Sequence, residues 1–275
     1  METKSFKGKA IYNPSGKAKE YSYWACNFYN GCSNGCEYCY CKKGILSKIM
    51  GGDVPVLKKC FKDETHALEI FEKELLQNKE ELQKHGLFFS FSTDPMLPET
   101  IELTIRASKL CVIHSVPVKI LTKVARVNEV AAWNFETTYR DNKHLIAFGF
   151  TLTGHDELEK GASTNQERIE AMKKLHNAGF KTFASIEPIV DFDKSYEMII
   201  KALTYCDLFK VGLMSGKKYD LDEADDFIYN LTNLTTYSKF YIKEGLSKLT
   251  GLDKRELPNN FVGRDFNIFN NKISM

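Results

Sequence analysis

Ala67, Leu68, Ile70, Phe71, Leu75 and Leu76 recur at helical spacing and predict a helix over 63–84, which Gly86 ends. The apolar run 87–91 is too short for a helix and reads as a buried strand. Pro98 then opens a helix running to about His114. Strands follow over 118–121 and 145–151, with a helical stretch at 126–133 between them. Ser163 with Gln166 forms a capping box for a helix that ends at Gly179. Next come a strand at 183–186, a helix at 193–204, a strand at 208–213, a helix at 222–231 and a last strand at 240–242.

Strands alternating with helices predict parallel strands joined by right-handed crossovers. Roughly six or seven such units make an incomplete barrel, shorter than the eight-fold form. The expected fold is α/β, a partial (β/α)6-type barrel in one domain. Residues 1–20 form an N-terminal extension, about 21–245 the barrel and 246–275 a C-terminal extension. No linker, low-complexity tract or internal repeat interrupts the pattern.

Active sites of parallel α/β folds gather beyond the carboxyl ends of the strands. Polar residues recur there: Ser92, Thr93 and Asp94 after the first strand, Thr122 and Lys123 after the second. Thr151 and Thr153 close the third, Glu187 the fourth, and Lys243 with Glu244 the last. Singly, each has an ordinary reading; Asp94 before Pro95 turns a chain, and Ser92 or Thr93 caps one.

Composition narrows the partners little. The 275 residues carry a formal charge of +2, so no strong field marks a polyanion partner. No apolar run approaches the roughly 18 residues of a membrane span. Eight cysteines with nothing like a signal peptide predict a reducing cytoplasm.

The most specific chemistry lies at Cys32, Cys36 and Cys39, spaced C-x3-C-x2-C, with Tyr38 before the third. Three thiolates hold three corners of a [4Fe–4S] cluster and leave one iron without a protein ligand. Cys41 follows closely, so a structural zinc knuckle competes. Zinc sites more often use two C-x2-C pairs separated by a longer stretch. Here the first gap is three, and no second pair or His-x3-His follows nearby. No second cysteine cluster appears downstream, so auxiliary iron–sulfur centres are not expected.

The cysteine motif resembles that of the radical S-adenosylmethionine (radical SAM) enzymes. That resemblance implies SAM chelated through its amino and carboxylate groups at the open iron, cleaved by one electron to methionine and a 5′-deoxyadenosyl radical. It also implies a reducing electron donor such as flavodoxin or ferredoxin. The segments A-I-Y-N-P-S-G-K-A-K-E-Y (10–21), N-F-Y-N-G-C-S-N-G-C-E-Y-C-Y (27–40), S-T-D-P (92–95), I-L-T-K (120–123), T-L-T-G-H-D-E-L (151–158) and S-I-E-P-I-V (185–190) carry the likeness further. Together, over about 8–215, they resemble the spore photoproduct lyase-like (DNA repair photolyase-like) branch. The tail F-Y-I-K-E-G (240–245) is similar to phage and mobile-element radical SAM proteins.

The likeness implies that Lys123 pairs with the SAM carboxylate, and an ammonium suits that partner. It places Ser92, Thr93 and Asp94 near the SAM amino group or the substrate mouth. Thr151 or Thr153 is placed at the methionine part or ribose, Glu187 in the barrel mouth, and Tyr38 near the adenine. One position departs: the branch's hydrogen-donor cysteine is matched here by Phe91. Cys41 is the candidate thiol from another direction.

Three functions remain open at this point. The first is a radical SAM enzyme acting on a nucleic acid base or nucleotide. The second keeps the cofactor and acts on a peptide or small metabolite. The third is a non-enzymatic iron–sulfur or zinc module that binds nucleic acid, with Tyr21, Tyr23, Trp24, Phe28 and Tyr29 stacking on bases; core or lid packing is the ordinary reading of those aromatics.

Overall fold

The computed structural model describes residues 5–126, 140–253 and 257–270. Its centre is an eight-stranded sheet in the order β1 (Ile11–Tyr12), β2 (Ala25–Cys26), β5 (Leu87–Phe89), β6 (Val118–Thr122), β7 (Ile146–Thr151), β8 (Lys181–Ile189), β9 (Leu208–Leu213) and β10 (Lys239–Ile242). A separate pair, β3 (Tyr29–Asn30) and β4 (Val56–Leu57), flanks the cysteine loop. β1 meets β2 antiparallel, and every later pairing in the large sheet is parallel.

The described helices are α1 (Ser47–Met50), α2 (Glu64–Gln77), α3 (Lys79–His85), α4 (Ile101–Ile113), α5 (Asn165–Asn177), α6 (Phe192–Ala202), α7 (Leu221–Thr232) and α8 (Glu244–Leu249). This is the expected mixed α/β single domain, a partial barrel with a mostly parallel sheet. The helix expected at 126–133 lies outside the described residues, apart from its first position.

Two faces of the sheet explain why its strands read as continuous apolar runs. Phe89, Ile120, Phe148, Phe150, Ala184, Ile186, Phe209, Val211, Phe240 and Ile242 belong to the main core. Ala25, Phe88, Ala147, Phe183, Leu208 and Tyr241 form a separate inner cluster with Tyr21 and Leu121. β7 puts small residues inward: a Cβ on Gly149 would lie 2.2 Å from the Phe183 ring, so the ring occupies the space that glycine leaves.

Several predicted boundaries move. The single helix at 63–84 is two helices, because Asn78 breaks it and its side chain caps the Glu74 carbonyl at 2.8 Å. The helix expected from Pro98 begins at Ile101, after a turn in which Thr100 Oγ1 donates to the Asp94 carbonyl. The capping box is Thr164 with Glu167, one residue later than expected. Ser163 is engaged elsewhere, accepting the Ala125 amide through its hydroxyl and Arg168 through its carbonyl.

Both extensions are tied to the barrel. The buried Glu74 carboxylate accepts the amides of Lys9, Ala10 and Ile11 at 2.6, 3.0 and 2.7 Å. Residues 260–262 add hydrogen bonds along β10, where Phe240 donates to the Asn260 carbonyl and Val262 to that of Phe240. No described helix is long and apolar enough to cross a membrane.

Candidate active site

Cys32, Cys36 and Cys39 lie on the loop after β3, half-buried and free of disulfides. Backbone bonds hold this loop against the segment that follows β7. Gly161 donates to the Asn34 carbonyl at 2.9 Å and Glu37 to that of Leu158 at 3.0 Å, and Cys36 bridges Glu159. At its start, Cys32 donates to Gly52 at 3.0 Å. The Gly161 contact is close; a Cβ there would sit 2.3 Å from the Ser33 carbonyl oxygen.

Asp94 ties the loop to the strand ends. Its carboxylate accepts Asn34 Nδ2 at 2.8 Å, Thr122 Oγ1 at 2.6 Å, and the amides of Lys123 and Met96 at 2.7 and 3.0 Å. With both oxygens engaged, Asp94 positions the loop and Lys123. Ser92 donates to the Tyr29 carbonyl and so fixes β3 to the turn after β5.

The second brace is Glu159, which the sequence pattern did not single out. It is fully buried with Arg168, whose Nη2 lies 2.5 Å from Glu159 Oε2, and it also accepts the Tyr38 hydroxyl. Arg168 further donates to the Thr151 and Ser163 carbonyls at 2.7 and 2.8 Å. Tyr38 therefore has its hydroxyl turned to Glu159, with Lys123 Nζ 5.6 Å from its ring. Its phenol is raised far above the ordinary range, by burial first and then by the Glu159 and Cys36 charges.

Lys123 Nζ also lies 3.9 Å from Glu159 Oε1, and its charge favours the thiolate of each of the three cysteines. Burial opposes this at Cys36, whose thiol is raised, and at Cys32, which is pushed up to about 11. Cys39 is lowered to about 6, chiefly by a hydrogen bond from Cys41. Cys41 in turn stays protonated, buried, with its sulfur 3.5 Å from the Phe91 carbonyl.

This donor set fits a cubic cluster. Among the described residues no three His, Cys, Asp or Glu side chains are grouped to hold one metal ion. A cube makes a different demand, since its three thiolates bind three separate irons. The loop supplies three free thiols, a neighbouring ammonium to offset anionic charge, and two buried polar atoms without partners among the described residues, Asn34 Oδ1 and Thr93 Oγ1. Thr93 also lines a small cavity with Tyr29 and Ser90.

The sequence model of the Radical SAM superfamily matches residues 26–206, well over half the chain. The chain belongs to the radical SAM superfamily. Members of that superfamily use a [4Fe–4S] cluster and S-adenosylmethionine. In fold, this radical SAM domain is similar to Streptococcus suis SuiB bound to S-adenosylmethionine, with a TM-score of 0.50 and 16% identity. The similarity covers 87% of this chain and 46% of the SuiB chain, so the domain spans less than half of that protein. No curated protein matches the sequence.

The remaining expected residues of the radical SAM domain fall into two places. Thr151 and Thr153 are buried at the end of β7; Thr153 donates its amide to Asn165 Oδ1 at 2.9 Å, and its hydroxyl accepts the His155 amide at 3.3 Å. Glu187 belongs to a second polar group on the inner face. It accepts Tyr21 at 2.7 Å and Lys243 at 2.5 Å, while Tyr21 also meets Ser185 at 2.5 Å. Lys243 reaches Glu20 at 3.5 Å. Gly212 makes room for this pair, because a Cβ there would lie 2.8 Å from Lys243 Cδ.

Lys210 joins the same group and was not anticipated. It is buried on β9, donating to the Glu20 and Tyr21 carbonyls at 2.8 and 3.2 Å. Burial holds its ammonium well below the usual lysine range. The signal was available in the sequence: a lysine inside the apolar run L-F-K-V-G-L has no exposed face to occupy.

Proposed function

We propose that this chain cleaves SAM reductively and takes a hydrogen atom from a nucleic acid base or nucleotide. The observation that carries the SAM chemistry is the loop of three free thiols held beside the Lys123 ammonium. When bound, the cluster supplies the electron that splits SAM into methionine and the 5′-deoxyadenosyl radical. Cys32, Cys36 and Cys39 would hold it, with Asp94 and Glu159 fixing the loop that carries them.

Lys123 is positioned to pair with the SAM carboxylate, in a site where low solvent access strengthens a charge-assisted bond. Thr93 and Asn34 offer unpartnered polar atoms for the remaining polar groups of SAM. Thr151, Thr153 and Ser92 shape the strand ends around it. Tyr38 shields the loop from water and holds Glu159. Glu187, with Tyr21, Ser185, Lys210 and Lys243, forms the polar inner wall that would face the substrate.

The substrate reading rests on the sequence likeness to the spore photoproduct lyase-like branch. Phe91 stands where that branch has its hydrogen-donor cysteine, and here its ring stacks on Phe88 with centroids 4.5 Å apart. The proposal therefore excludes dimer repair through a thiol at that position. If a thiol returns hydrogen to the product, Cys41 is the candidate. A flavodoxin or ferredoxin is the proposed electron donor.

The test is deuterium transfer. Reduced, cluster-loaded protein with SAM is given deuterated DNA or RNA oligonucleotides, nucleotides, and a peptide or metabolite fraction, and deuterium in 5′-deoxyadenosine is measured. Enrichment from a nucleic acid component supports the proposal. Enrichment only from the peptide or metabolite fraction overturns its substrate half.

A further inference from the structure

A second site lies at the opposite, amino-terminal end of the strands. Segments 19–23 and 264–267, one from each side of the barrel sequence, meet Lys119 and His85 around a small pocket open to solvent. Lys119 is the second residue of β6, four positions before Lys123, so strand alternation puts both lysines on the inner face, about 13 Å apart along the strand.

The charge of this pocket is unbalanced. Among the described residues Lys119 Nζ makes one hydrogen bond, to the His85 carbonyl at 3.2 Å. Among the described residues no carboxylate lies within ion-pair distance of it. Burial pushes its ammonium down to about 8. Lys210 lies close enough that the two cations oppose each other's charge. At the rim, exposed Lys19 and Arg264 add two more cations.

Asp265 is the lining carboxylate, and it is already engaged. It accepts the Tyr23 hydroxyl and lies 3.9 Å from Arg264 Nε. Ser22 lines the same pocket, is only 5% exposed, and its buried hydroxyl has no hydrogen-bond partner among the described residues. A half-buried ammonium with a single neutral acceptor and a buried hydroxyl with none are both unfavourable unless something else satisfies them.

We propose that this pocket binds the terminal phosphate of a small organic phosphate. Lys119 and Ser22 form its floor, and Lys19 and Arg264 close over the anion from the rim. Three cations against one engaged carboxylate suit a dianionic monoester better than a phosphodiester, which carries one charge per phosphate. The pocket is small and open at its rim, so it suits a terminal phosphate whose organic body stays outside, and not a strand. Binding would join the two extensions across the base of the barrel, so the ligand would stabilise the fold by mass action.

The experiment is calorimetric titration of inorganic phosphate, pyrophosphate and a phosphate-monoester sugar into cluster-loaded protein, alongside an oligonucleotide lacking terminal phosphates. Lys119→Met should weaken pyrophosphate binding by about tenfold or more, the usual effect of losing a charge-assisted bond. It should fold, since methionine fills similar volume without the half-buried charge. Arg264→Gln, at an exposed position, should weaken binding about threefold to tenfold. Both variants should show a smaller phosphate-dependent rise in melting temperature while keeping their iron.

Absence of phosphate binding to the unsubstituted protein, or affinity in both variants unchanged from it, would overturn the proposal. So would tighter binding of the oligonucleotide than of the monoester. None of these outcomes touches the assignment of the cysteine loop, which is read separately from iron content.

Discussion

Arg168 Nη2 lies 2.5 Å from Glu159 Oε2, with both side chains fully buried. Glu159 is also bridged to Cys36 through the backbone and receives the Tyr38 hydroxyl. A helix residue far from the cysteines in sequence thus sets the conformation of the loop that carries them. Removing Arg168 would leave the Glu159 carboxylate buried without its closest counter-charge.

Arg168→Met should therefore cost about 3–5 kcal/mol of stability, the usual penalty for breaking one side of a buried pair. Urea unfolding checks it, and Arg168→Met combined with Glu159→Gln should recover part of the loss. A cost below about 1 kcal/mol, the range of a surface pair, would remove Arg168 from this role.

Substitution of any one of Cys32, Cys36 or Cys39 by alanine should sharply reduce iron retained after anaerobic reconstitution. Cys41→Ala should keep the iron, because the Cys41 thiol donates to the Phe91 carbonyl and lies outside the C-x3-C-x2-C set. Iron assay of the four variants separates a three-thiolate site from one that uses Cys41.

Lys123→Met should leave cluster loading close to normal and weaken SAM binding by roughly 10- to 100-fold, as expected for a charge-assisted bond in a shielded site. Equilibrium dialysis with labelled SAM gives the value. Unchanged affinity would remove Lys123 from the SAM site.

His155 sits between Asp191 and Glu157, with ring nitrogens 2.5 and 2.7 Å from their carboxylates. Burial works against its charge, but hydrogen bonds to both carboxylates outweigh it and raise its pKa. Its contribution is complete below the ordinary histidine pKa of about 6.5 and is lost as pH rises through the higher folded value. Melting temperature should fall over that interval in the native protein, and more weakly in His155→Gln.

The strand–helix alternation was readable because most strands from β5 to β10 carry a short, largely apolar stretch bounded by polar residues. The cysteine spacing was readable because its chemistry is local. Glu159, Arg168 and Glu74 were not, since a carboxylate or guanidinium looks like a surface residue until tertiary contacts bury it. Asp94 stands out in sequence for its place after a strand, but three of its four hydrogen bonds come from two distant segments, Asn34 and 122–123. The capping box was placed one residue early because Ser163 and Thr164 are equally suited to cap; the competing bonds of Ser163 decide between them. Lys119 and Lys210 carried a signal that strand pattern alone could have used, each being a cation within a buried run.

Electron paramagnetic resonance of the reduced, reconstituted protein with and without SAM reads the open iron itself. If three thiolates hold the cluster and one iron is open, SAM should shift the spectrum of a [4Fe–4S]⁺ signal, with isotopically labelled SAM nitrogen or carboxylate oxygen coupled to it. A cluster signal that SAM leaves unchanged, with no such coupling, would contradict the account.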